Sequence, residues 1–501
     1  MPDTRPDIVV VLTDQQRADH SAREGHPLDT TPFADELARE GTWFDRAYTT
    51  SPLCSPARTS LWTGRYPTAH RVTQNAAREH AVTGADLFGE ARAAGYTTAM
   101  VGKNHTWLGP ADTDHWAEYT HDGQATGEPG PAEREFDAWL AGLRHRTPDG
   151  STPFPVRVQL PHRIVDDALQ WATTVADDRP MLLVVSFPEP HNPYQVPEPY
   201  ASMFPPGDLP PVTAGAEVLA DKPFAWRYLR EIGERSVGDY EAAIAPSRSH
   251  YAGMLRLIDD EVRRLHDGLA ARHTRHERLV VLTSDHGDFA GDYGLVRKGA
   301  EIPDVLARVP LVVHGDGVAP GTGSRRDHVS LADLMPTFCE VMGRDLPPGT
   351  QGRSLRPMLA GEPYPVAEFA SAYTEQGMGG LPYGPDDVGT DHPGLIYDEP
   401  GAAPRWDELN AVTQSGRRRR VRSGDWSLQA DVTGEFRLCH LPGDPLELVD
   451  RWADPDAAGP REELLRLLAV WQMRAEDPLP VVDGGYRVKR DPRNVVAGPW
   501  R

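Results

Sequence analysis

Short, unbroken runs of aliphatic residues recur along the chain, and each run ends in polar residues. The runs cover residues 7–14, 97–101, 181–187 and 277–284. Because polar residues do not alternate with the apolar ones, each run is typical of a strand buried on both faces, as in a parallel sheet between layers of helices. Ligands bind such sheets at the carboxyl ends of the strands. The polar residues after each run are therefore candidate functional residues.

Helical periodicity fills the intervals between these strands. Amphipathic helices are predicted over residues 31–41, 86–95, 165–176 and 250–265. The alternation of strands and helices predicts an α/β fold, built on a large mixed, mostly parallel sheet that is sandwiched by helices. Residues 110–161 are rich in Gly, Pro, Asp and Thr and have weak periodicity. We interpret them as a long ordered insertion.

The charge of the chain limits its partners. Its 501 residues include 52 Lys and Arg against 74 Asp and Glu, which gives a formal net charge of −22. This acidity argues against nucleic acid or an anionic membrane surface as a partner, and no run approaches the roughly 20 apolar residues of a membrane span. The basic run at 417–420, together with Arg422, is predicted to be a solvated loop or a sheet edge.

The cysteines and the N-terminal residues bear on localisation. Three cysteines, at positions 54, 339 and 439, provide no disulfide framework and agree with a reducing compartment. The first residues contain no basic segment of the signal-peptide type, and the apolar run from Ile8 to Leu12 is short. We therefore expect a cytoplasmic protein without a membrane segment.

Cys54 stands out by its context, the segment SPLCSPARTSLWTGR at residues 51–65. Pro56 suits the first turn of a helix and Gly64 suits a left-handed C-terminal cap, so Cys54 is predicted to lie at a helix start. Unpaired backbone N–H groups at that end favour an anion on the residue itself or a bound sulfate or phosphate. Without this context, a single cysteine is more often a buried structural residue.

Polar residues at the four strand ends complete the candidate site. They are Asp14 after the first strand, Lys103 and His105 after the second, His191 after the third, and Asp285 with His286 after the fourth. Lys103 and His105 point to the same side if the backbone between them is extended, so both can address one anion. The carboxylates of Asp14 and Asp285 converge only if their two strands are neighbours.

The pattern Cys-x-Pro-x-Arg, followed by Thr-Ser-Leu-x-Thr-Gly-Arg, resembles the signature of the type I, formylglycine-dependent sulfatases of the alkaline phosphatase superfamily. This resemblance implies that a formylglycine-generating enzyme oxidises Cys54 to formylglycine. One hydroxyl of the formylglycine hydrate would attack sulfur, and the other would later lose its proton and expel sulfate. The fold implied is alkaline-phosphatase-like.

The resemblance extends to a smaller C-terminal antiparallel sheet with strands near residues 426–428 and 436–440. Residues 461–476 have the periodicity of the helix that covers this sheet. On this basis we divide the chain into a catalytic α/β domain (1–365), a C-terminal α+β subdomain (366–480) and a tail (481–501). The tail either wraps a second subunit, which would make the protein a homo-oligomer, or frays.

The resemblance also assigns roles to individual residues. One divalent metal ion, Ca²⁺ in the first place with Mn²⁺ or Mg²⁺ as alternatives, is expected to be bound by Asp14, Gln15, Cys54, Asp285 and His286. Arg58, Lys103 and Lys298 are expected to offset the charge on the transferred group. His191 is expected to protonate the leaving oxygen, His105 to assist the elimination step, and Asn75 to contact the substrate.

Gln15 and His286 depart from the commonest arylsulfatase pattern and resemble the choline sulfatase and phosphonate monoester hydrolase branch. The predicted reaction is the metal-dependent hydrolysis of a small sulfate monoester, of an alkyl or cationic alcohol, with release of inorganic sulfate. A phosphonate monoester hydrolase or phosphodiesterase that uses the same site is the alternative. A metal-binding pseudoenzyme would require a lost catalytic group.

Overall fold

The computed structural model describes residues 5–477 and 479, apart from residues 273, 275, 322, 391 and 400. The predicted tail, residues 481–501, lies outside the described residues. The strands are β1 (Asp7–Thr13), β2 (Thr42–Phe44), β3 (Ala47–Tyr48), β4 (Thr97–Gly102), β5 (His115–Thr120), β6 (Gly123–Gln124), β7 (Met181–Ser186), β8 (Arg278–Ser284), β9 (Leu311–Gly315), β10 (Gly323–Arg325), β11 (Val329–Ser330), β12 (Ser371–Gly379), β13 (Leu395–Ile396), β14 (Arg405–Trp406), β15 (Gly416–Ser423), β16 (Trp426–Asp431) and β17 (Phe436–His440).

The helices alternate with these strands, and four of the six helices after residue 300 are only four residues long. They are α1 (Pro32–Glu40), α2 (Cys54–Thr63), α3 (Pro67–His70), α4 (Leu87–Ala93), α5 (Pro131–Gly142), α6 (Leu160–Ala172), α7 (Tyr200–Met203), α8 (Phe224–Val237), α9 (Tyr240–Ala270), α10 (Asp304–Ala307), α11 (Leu334–Val341), α12 (Arg356–Leu359), α13 (Pro385–Val388), α14 (Ala411–Gln414) and α15 (Ala458–Ala475). Among the described residues, none of the helices is both long and apolar enough to cross a membrane.

A nine-stranded sheet forms the centre of the fold, in the order β10-β2-β9-β8-β1-β7-β4-β5-β6. Its middle is parallel, because β1 pairs in parallel with both β7 and β8, and β4 with both β7 and β5. Antiparallel pairs lie towards the edges, where β9 pairs with β8 and with β2. The predicted mixed, mostly parallel sheet is therefore confirmed.

Helices cover both faces of this sheet because both faces are apolar. Ile8, Val10 and Leu12 of β1 pack into a core shared with α2, α4 and α11. Val9 and Val11, which point the opposite way, pack into a second core shared with α1, α6 and α9. Successive side chains of a strand point to opposite faces, so the unbroken aliphatic run of β1 contributes to two cores, one on each face of the sheet.

A second, four-stranded antiparallel sheet follows, in the order β12-β15-β16-β17. Helix α15 covers it, and Leu464, Leu468 and Trp471 of this helix share an apolar core with Val421 and Leu428 of the sheet. The smaller sheet and its covering helix are confirmed. The sheet has four strands, so β12 and β15 add to the two strand segments recognised in the sequence.

The interpretation of residues 110–161 as an insertion was incomplete. This segment contains β5, which extends the main sheet in parallel with β4, the short β6 and the helix α5. Ala117 and Tyr119 of β5 point into the second core. The strand is hard to predict because polar residues alternate with these apolar ones and because it lies near the edge of the sheet.

The prediction of a solvated loop or edge for the arginine run was wrong. The run forms β15, an inner strand of the smaller sheet, where Arg418, Arg420 and Arg422 are buried. Arg420 Nη2 lies 2.7 Å from Asp304 Oδ1 and 3.1 Å from Glu447 Oε1. Carboxylates distant in sequence thus compensate the buried charge, which composition alone cannot reveal.

Candidate active site

Two carboxylates meet at the carboxyl ends of neighbouring strands. β1 and β8 are paired in parallel, with Thr13 opposite Ser284, so Asp14 and Asp285 follow them side by side. The backbone N–H of Asp285 donates to the carbonyl of Thr13 at 3.2 Å and continues the ladder by one residue. Both side chains are 0% exposed. The condition for their convergence, neighbouring strands, is met.

Arg58 bridges these two carboxylates. Its Nε lies 2.8 Å from Asp285 Oδ2, and its Nη2 lies 3.1 Å from Asp14 Oδ2. Its Nη1 donates to Ser186 Oγ and to the carbonyl of Lys103, both at 2.8 Å. The guanidinium is fully buried. Arg58 therefore fixes the relative position of four strand ends, those of β1, β4, β7 and β8, through a planar donor geometry that matches carboxylates.

The ammonium group of Lys103 lies beside the carboxylate of Asp14. Lys103 Nζ contacts Asp14 Oδ2 and lies 2.7 Å from His121 Nε2. Burial raises the pKa of Asp14, but Lys103, His191 and Arg58 outweigh burial and hold that pKa well below its usual range. Asp14 is therefore ionised at neutral pH.

Cys54 is the first residue of α2, and its sulfur faces the carboxylates. Cys54 Sγ lies 3.3 Å from His286 Nε2 and 3.7 Å from Asp14 Oδ1. Leu53 is the N-cap, and Gly64, at φ 66, ends the helix in the left-handed conformation. The predicted helix and its cap are thus observed, with the sulfur at the positive end of the helix.

Asn75 supports the start of this helix. Its Oδ1 accepts a hydrogen bond from the backbone N–H of Ser55 at 3.0 Å. One of the unpaired N–H groups of the first helical turn is thereby satisfied by a side chain from the following loop. The predicted contact between Asn75 and substrate stays a prediction.

The surroundings of Cys54 favour the thiolate. Burial and the charge of Asp14 raise the pKa of the thiol, whereas Lys103, Lys298 and His286 lower it, and the cations prevail, so that the pKa falls to about 6. The other two cysteines behave in the opposite way. Burial raises the pKa of Cys339 to about 12 and that of Cys439 further. Of the three cysteines, only Cys54 lies in surroundings that stabilise an anion.

The residues at this point fit a divalent cation. Asp14, Cys54, Asp285 and His286 each offer one ligand atom, and all these atoms lie within 4.8 Å of one another. Burial and the neighbouring Asp14 raise the pKa of Asp285, which is the mark of two carboxylates that repel each other in a dry site. The two carboxylates suit Ca²⁺ or Mn²⁺, and the imidazole nitrogen makes the site more tolerant of Mn²⁺ and other transition ions.

His286 is oriented for such a role. Its Nδ1 lies 2.9 Å from the carbonyl oxygen of Gly287, and a carbonyl can only accept, so in the neutral ring Nδ1 carries the hydrogen. The lone pair of Nε2 is then directed at Cys54 and the carboxylates. A backbone carbonyl that fixes the tautomer in this way is typical of metal-binding histidines.

Gln15 is buried beside this cluster, but its amide is already engaged. Its Oε1 accepts from Lys298 Nζ at 2.7 Å, and its Nε2 donates to Asp288 Oδ2 at 2.5 Å. Its backbone N–H donates to Asp285 Oδ1 at 3.0 Å. The side-chain oxygen could bind a metal ion only if Lys298 released it. Asp288 and Tyr194, whose hydroxyl also contacts Asp288, were not identified from the sequence.

The backbone between Lys103 and His105 is not extended, contrary to the assumption made from the sequence. His105 has φ 56, because the side chain of Asn104 bonds to the backbone of Thr106 and Leu108 and turns the chain. His105 nevertheless remains near the cationic groups. Burial, Lys103 and Arg58 hold its pKa well below the usual range, so its imidazole is neutral.

His191 belongs to a group of histidines that sequence reasoning identified only in part. Its ring stacks on His121 with centroids 3.8 Å apart, and its Nδ1 lies 2.7 Å from the carbonyl oxygen of Asn192. Asp14, His121 and His191 also have ligand atoms within 4.8 Å of one another. Lys103 contacts both Asp14 and His121, so a cation there would have to displace an ammonium group.

Glu408 enters the site from the C-terminal half of the chain. Its carboxylate lies 3.5 Å from Lys298 Nζ, 3.4 Å from Arg297 Nη1 and 3.9 Å from His191 Nε2. Nothing in the sequence around Glu408 marks it as functional, since it follows neither a buried strand nor a recognised motif. His121 could have been found if β5 had been predicted, because it directly follows that strand.

The geometry can be compared with known proteins. The model of the sulfatase family matches residues 6–344. This chain belongs to the sulfatase family. As a member of the alkaline phosphatase superfamily, the sulfatase is a sulfuric ester hydrolase, and its site lies within the matched segment except for Glu408.

Relatives of this sulfatase include proteins of several specificities. The multifunctional alkaline phosphatase superfamily protein PehA of Trinickia caryophylli is 32% identical, over 71% of this chain and 77% of that protein. A choline-sulfatase of Rhizobium meliloti is 29% identical, over 71% and 72%. The structure of a phosphonate monoester hydrolase from Silicibacter pomeroyi superposes with a TM-score of 0.75 and 22% identity, covering 94% and 96%, which supports the fold.

The lowered pKa of the Cys54 thiol can be tested by titration. In metal-free protein produced without a formylglycine-generating enzyme, we expect a single thiolate to form with a midpoint at about pH 6. Ultraviolet thiolate absorbance would follow it. The cations around Cys54 stabilise the charged form, so the thiolate is present above that pH and lost below it.

The variant Cys54→Ala should lack this transition, whereas Cys339→Ala should keep it. A transition that persists in Cys54→Ala, or a Cys54 that stays protonated up to pH 9, roughly its unperturbed range, would show that the cations do not act on this sulfur.

Proposed function

We propose that this sulfatase hydrolyses a small sulfate monoester and releases inorganic sulfate, using formylglycine made from Cys54 and one divalent cation. The observation that carries the proposal is the position of Cys54 Sγ, at the start of α2 and 3.3 Å from His286 Nε2 and 3.7 Å from Asp14 Oδ1. In the active enzyme, the side-chain oxygen of formylglycine would take the place of this sulfur.

Formylglycine and the cation would supply a hydrated aldehyde as the nucleophile and a lower pKa for its hydroxyl. Asp14, Asp285 and His286 would hold the cation, and Gln15 is the remaining predicted ligand. Arg58 would keep the two carboxylates in place, because it already binds both of them. All of these groups are excluded from water, which strengthens each electrostatic interaction.

Lys103 and Lys298 would bind the non-bridging oxygens of the sulfate group. Burial lowers the pKa of Lys298, but Cys54, Glu408 and Asp14 raise it above its usual value, so the ammonium stays charged in the dry site. Fixed cations aimed at a transferring anionic group are the largest expected contribution to catalysis of this type.

His191 would donate the proton to the leaving alcohol oxygen from Nε2. In the free enzyme, burial, His121 and Lys298 hold its pKa well below the usual range, and the Asn192 carbonyl keeps the hydrogen on Nδ1. The ring must therefore gain a proton at Nε2 when substrate binds. The charge of the sulfate ester and the carboxylate of Glu408, 3.9 Å away, both favour that gain.

A phosphonate monoester or phosphodiester remains the second candidate substrate. The same cations would contact the non-bridging oxygens of either transferring group, and His286 supplies a nitrogen ligand in either case. The relative PehA, which is described as multifunctional, is 32% identical.

The modification can be tested directly. When the protein is produced with a formylglycine-generating enzyme, the peptide that contains Cys54 should have the mass of an aldehyde-bearing residue, and sulfatase activity should rise with the modified fraction. Cys54→Ala should lower kcat/KM at least about a thousandfold, because the nucleophile is lost.

The matched control is Cys439→Ala, which removes a buried cysteine of the smaller sheet and should leave the activity of correctly folded protein unchanged. Full activity in a preparation whose Cys54 peptide carries only unmodified thiol would contradict the proposed nucleophile.

The substrate class can be tested by paired kinetics. We expect kcat/KM for 4-nitrophenyl sulfate to exceed that for 4-nitrophenyl phenylphosphonate by at least about tenfold, which corresponds to roughly 1.4 kcal/mol of transition-state stabilisation. Initial rates under the same metal conditions would decide between the two classes. A larger kcat/KM on the phosphonate would make the second candidate the main activity.

A further inference from the structure

A second charged cavity lies beside the nucleophile loop, and the arginine run forms part of its wall. The cavity has a volume of about 190 Å³, which suits one part of a ligand rather than a whole ligand. The residues that matter for its chemistry are Ser51, Arg71, Glu375, Gln376, Arg417 and Arg419.

The pleat of β15 divides its arginines between two environments. Arg418 and Arg420 point to one face, where they pair with Glu301 and with Asp304. Arg417 and Arg419, which alternate with them along the strand, point to the other face and line the cavity. The even-numbered arginines of the run thus form ion pairs on one face of the sheet, and the odd-numbered arginines line an open cavity on the other face.

The arginines of the cavity are only partly compensated. Arg419 Nη2 lies 3.2 Å from Glu375 Oε2. Arg71, whose side chain is 65% exposed, has its nearest carboxylate, Asp477, at 3.7 Å. Within the described part of the chain, Arg417 forms no ion pair. In a protein with a net charge of −22, this local excess of positive charge attracts an anion.

A buried acceptor of the cavity also lacks a partner. Glu375, which lies opposite Arg419 in the sheet, has no hydrogen-bond partner for Oε1 among the described residues, although the residue is only 2% exposed. A buried acceptor left unpaired is destabilising. A hydroxyl group of a ligand would supply the missing donor.

A bulge in β12 shapes this wall. The register of β12 against β15 shifts between Gln376 and Gly379. At Gly377, φ is 105, and a Cβ atom would lie 2.2 Å from the carbonyl oxygen of Gly416. No side chain fits there. Bulges of this kind re-aim side chains next to active sites.

Several residues that line the cavity lie close in the chain to active-site residues, or bond to their neighbours. Ser51 precedes Cys54 by three residues, and three residues span at most about 10 Å. Thr73, which also lines the cavity, lies two residues before Asn75. Gln376 Nε2 donates to the carbonyl of Gly299 at 2.9 Å, and Gly299 directly follows Lys298.

We propose that this cavity binds a second anionic group on the alcohol half of the substrate, a carboxylate or a further sulfate carried by a hydroxyl-bearing ring such as a sugar. Arg417 and Arg419 of β15 bind the anion, and Glu375 accepts a hydrogen bond from a hydroxyl. This inference rests on the proposed sulfatase function and names its substrate class. It replaces the small alkyl or cationic alcohol expected from the sequence, since a quaternary ammonium would face the arginines.

The test compares disaccharide monosulfates that differ at one position of the second ring. One carries a neutral hydroxymethyl group, one a carboxylate and one a second sulfate, and 4-nitrophenyl sulfate reports basic sulfatase turnover. We expect kcat/KM for at least one of the two anionic disaccharides to exceed that for the neutral one about tenfold, as charge-assisted hydrogen bonds to arginine would give.

Arginine variants then test whether the preference for anionic disaccharides arises in this cavity. In the double variant Arg417→Ala/Arg419→Ala, the ratio of anionic to neutral kcat/KM should fall to near one. Arg417→Ala alone, which breaks no ion pair with a described residue, should lower the ratio about threefold and covers the case in which the double variant does not fold. The matched control is Arg466→Ala, an exposed arginine on α15, which should keep the ratio.

Equal kcat/KM for the three disaccharides in the unaltered enzyme, failure to hydrolyse any of them while 4-nitrophenyl sulfate is turned over, or a preference that persists in the arginine variants would each overturn the assignment of the cavity. Absence of turnover with all substrates, 4-nitrophenyl sulfate included, would overturn the sulfatase function on which it rests.

Discussion

The bridge from Arg58 to Asp14 and Asp285 is the interaction on which the rest of the site depends. Two carboxylates excluded from water repel each other, and taking each out of water costs several kcal/mol. The guanidinium, held by both carboxylates, by Ser186 of β7 and by the carbonyl of Lys103 after β4, offsets this cost and ties four strand ends to α2. Since Arg58 and Cys54 lie one turn apart on the same helix, the bridge also sets the position of the nucleophile.

The catalytic sheet does not complete the site by itself. Glu408 reaches Lys298 and Arg297 from the C-terminal half of the chain, and Arg420 of β15 pairs with Asp304 just beyond the β8 loop. The loop between β14 and α14 therefore contributes the charge of Glu408 to the active site, and β15 is tied to the catalytic part of the chain through Asp304. The predicted division of the chain between residues 365 and 366 stays a prediction, and the ion pairs of Glu408 with Lys298 and Arg297 join residues from both sides of it.

Much of the fold and of the site could be predicted because the relevant signals are local. An unbroken aliphatic run followed by Asp14 or Asp285 contains both the strand and the residue at its end, and the segment around Cys54 contains its own helix start and cap. Features that depend on distant partners could not be predicted. The burial of Arg420 depends on Asp304 and Glu447, and the turn at His105 depends on hydrogen bonds of Asn104 that no periodicity reveals.

The most direct test of the account is a measurement of metal binding by the pair of carboxylates. Elemental analysis of the purified enzyme should give one tightly bound divalent ion per chain, and Asp285→Asn should lose it. Asp316→Asn, a change at an exposed carboxylate beyond β9, should keep the ion. Removal of the ion by a chelator should abolish sulfate-ester hydrolysis, and added Ca²⁺ or Mn²⁺ should restore it. Full activity in enzyme shown to be free of metal would contradict the account.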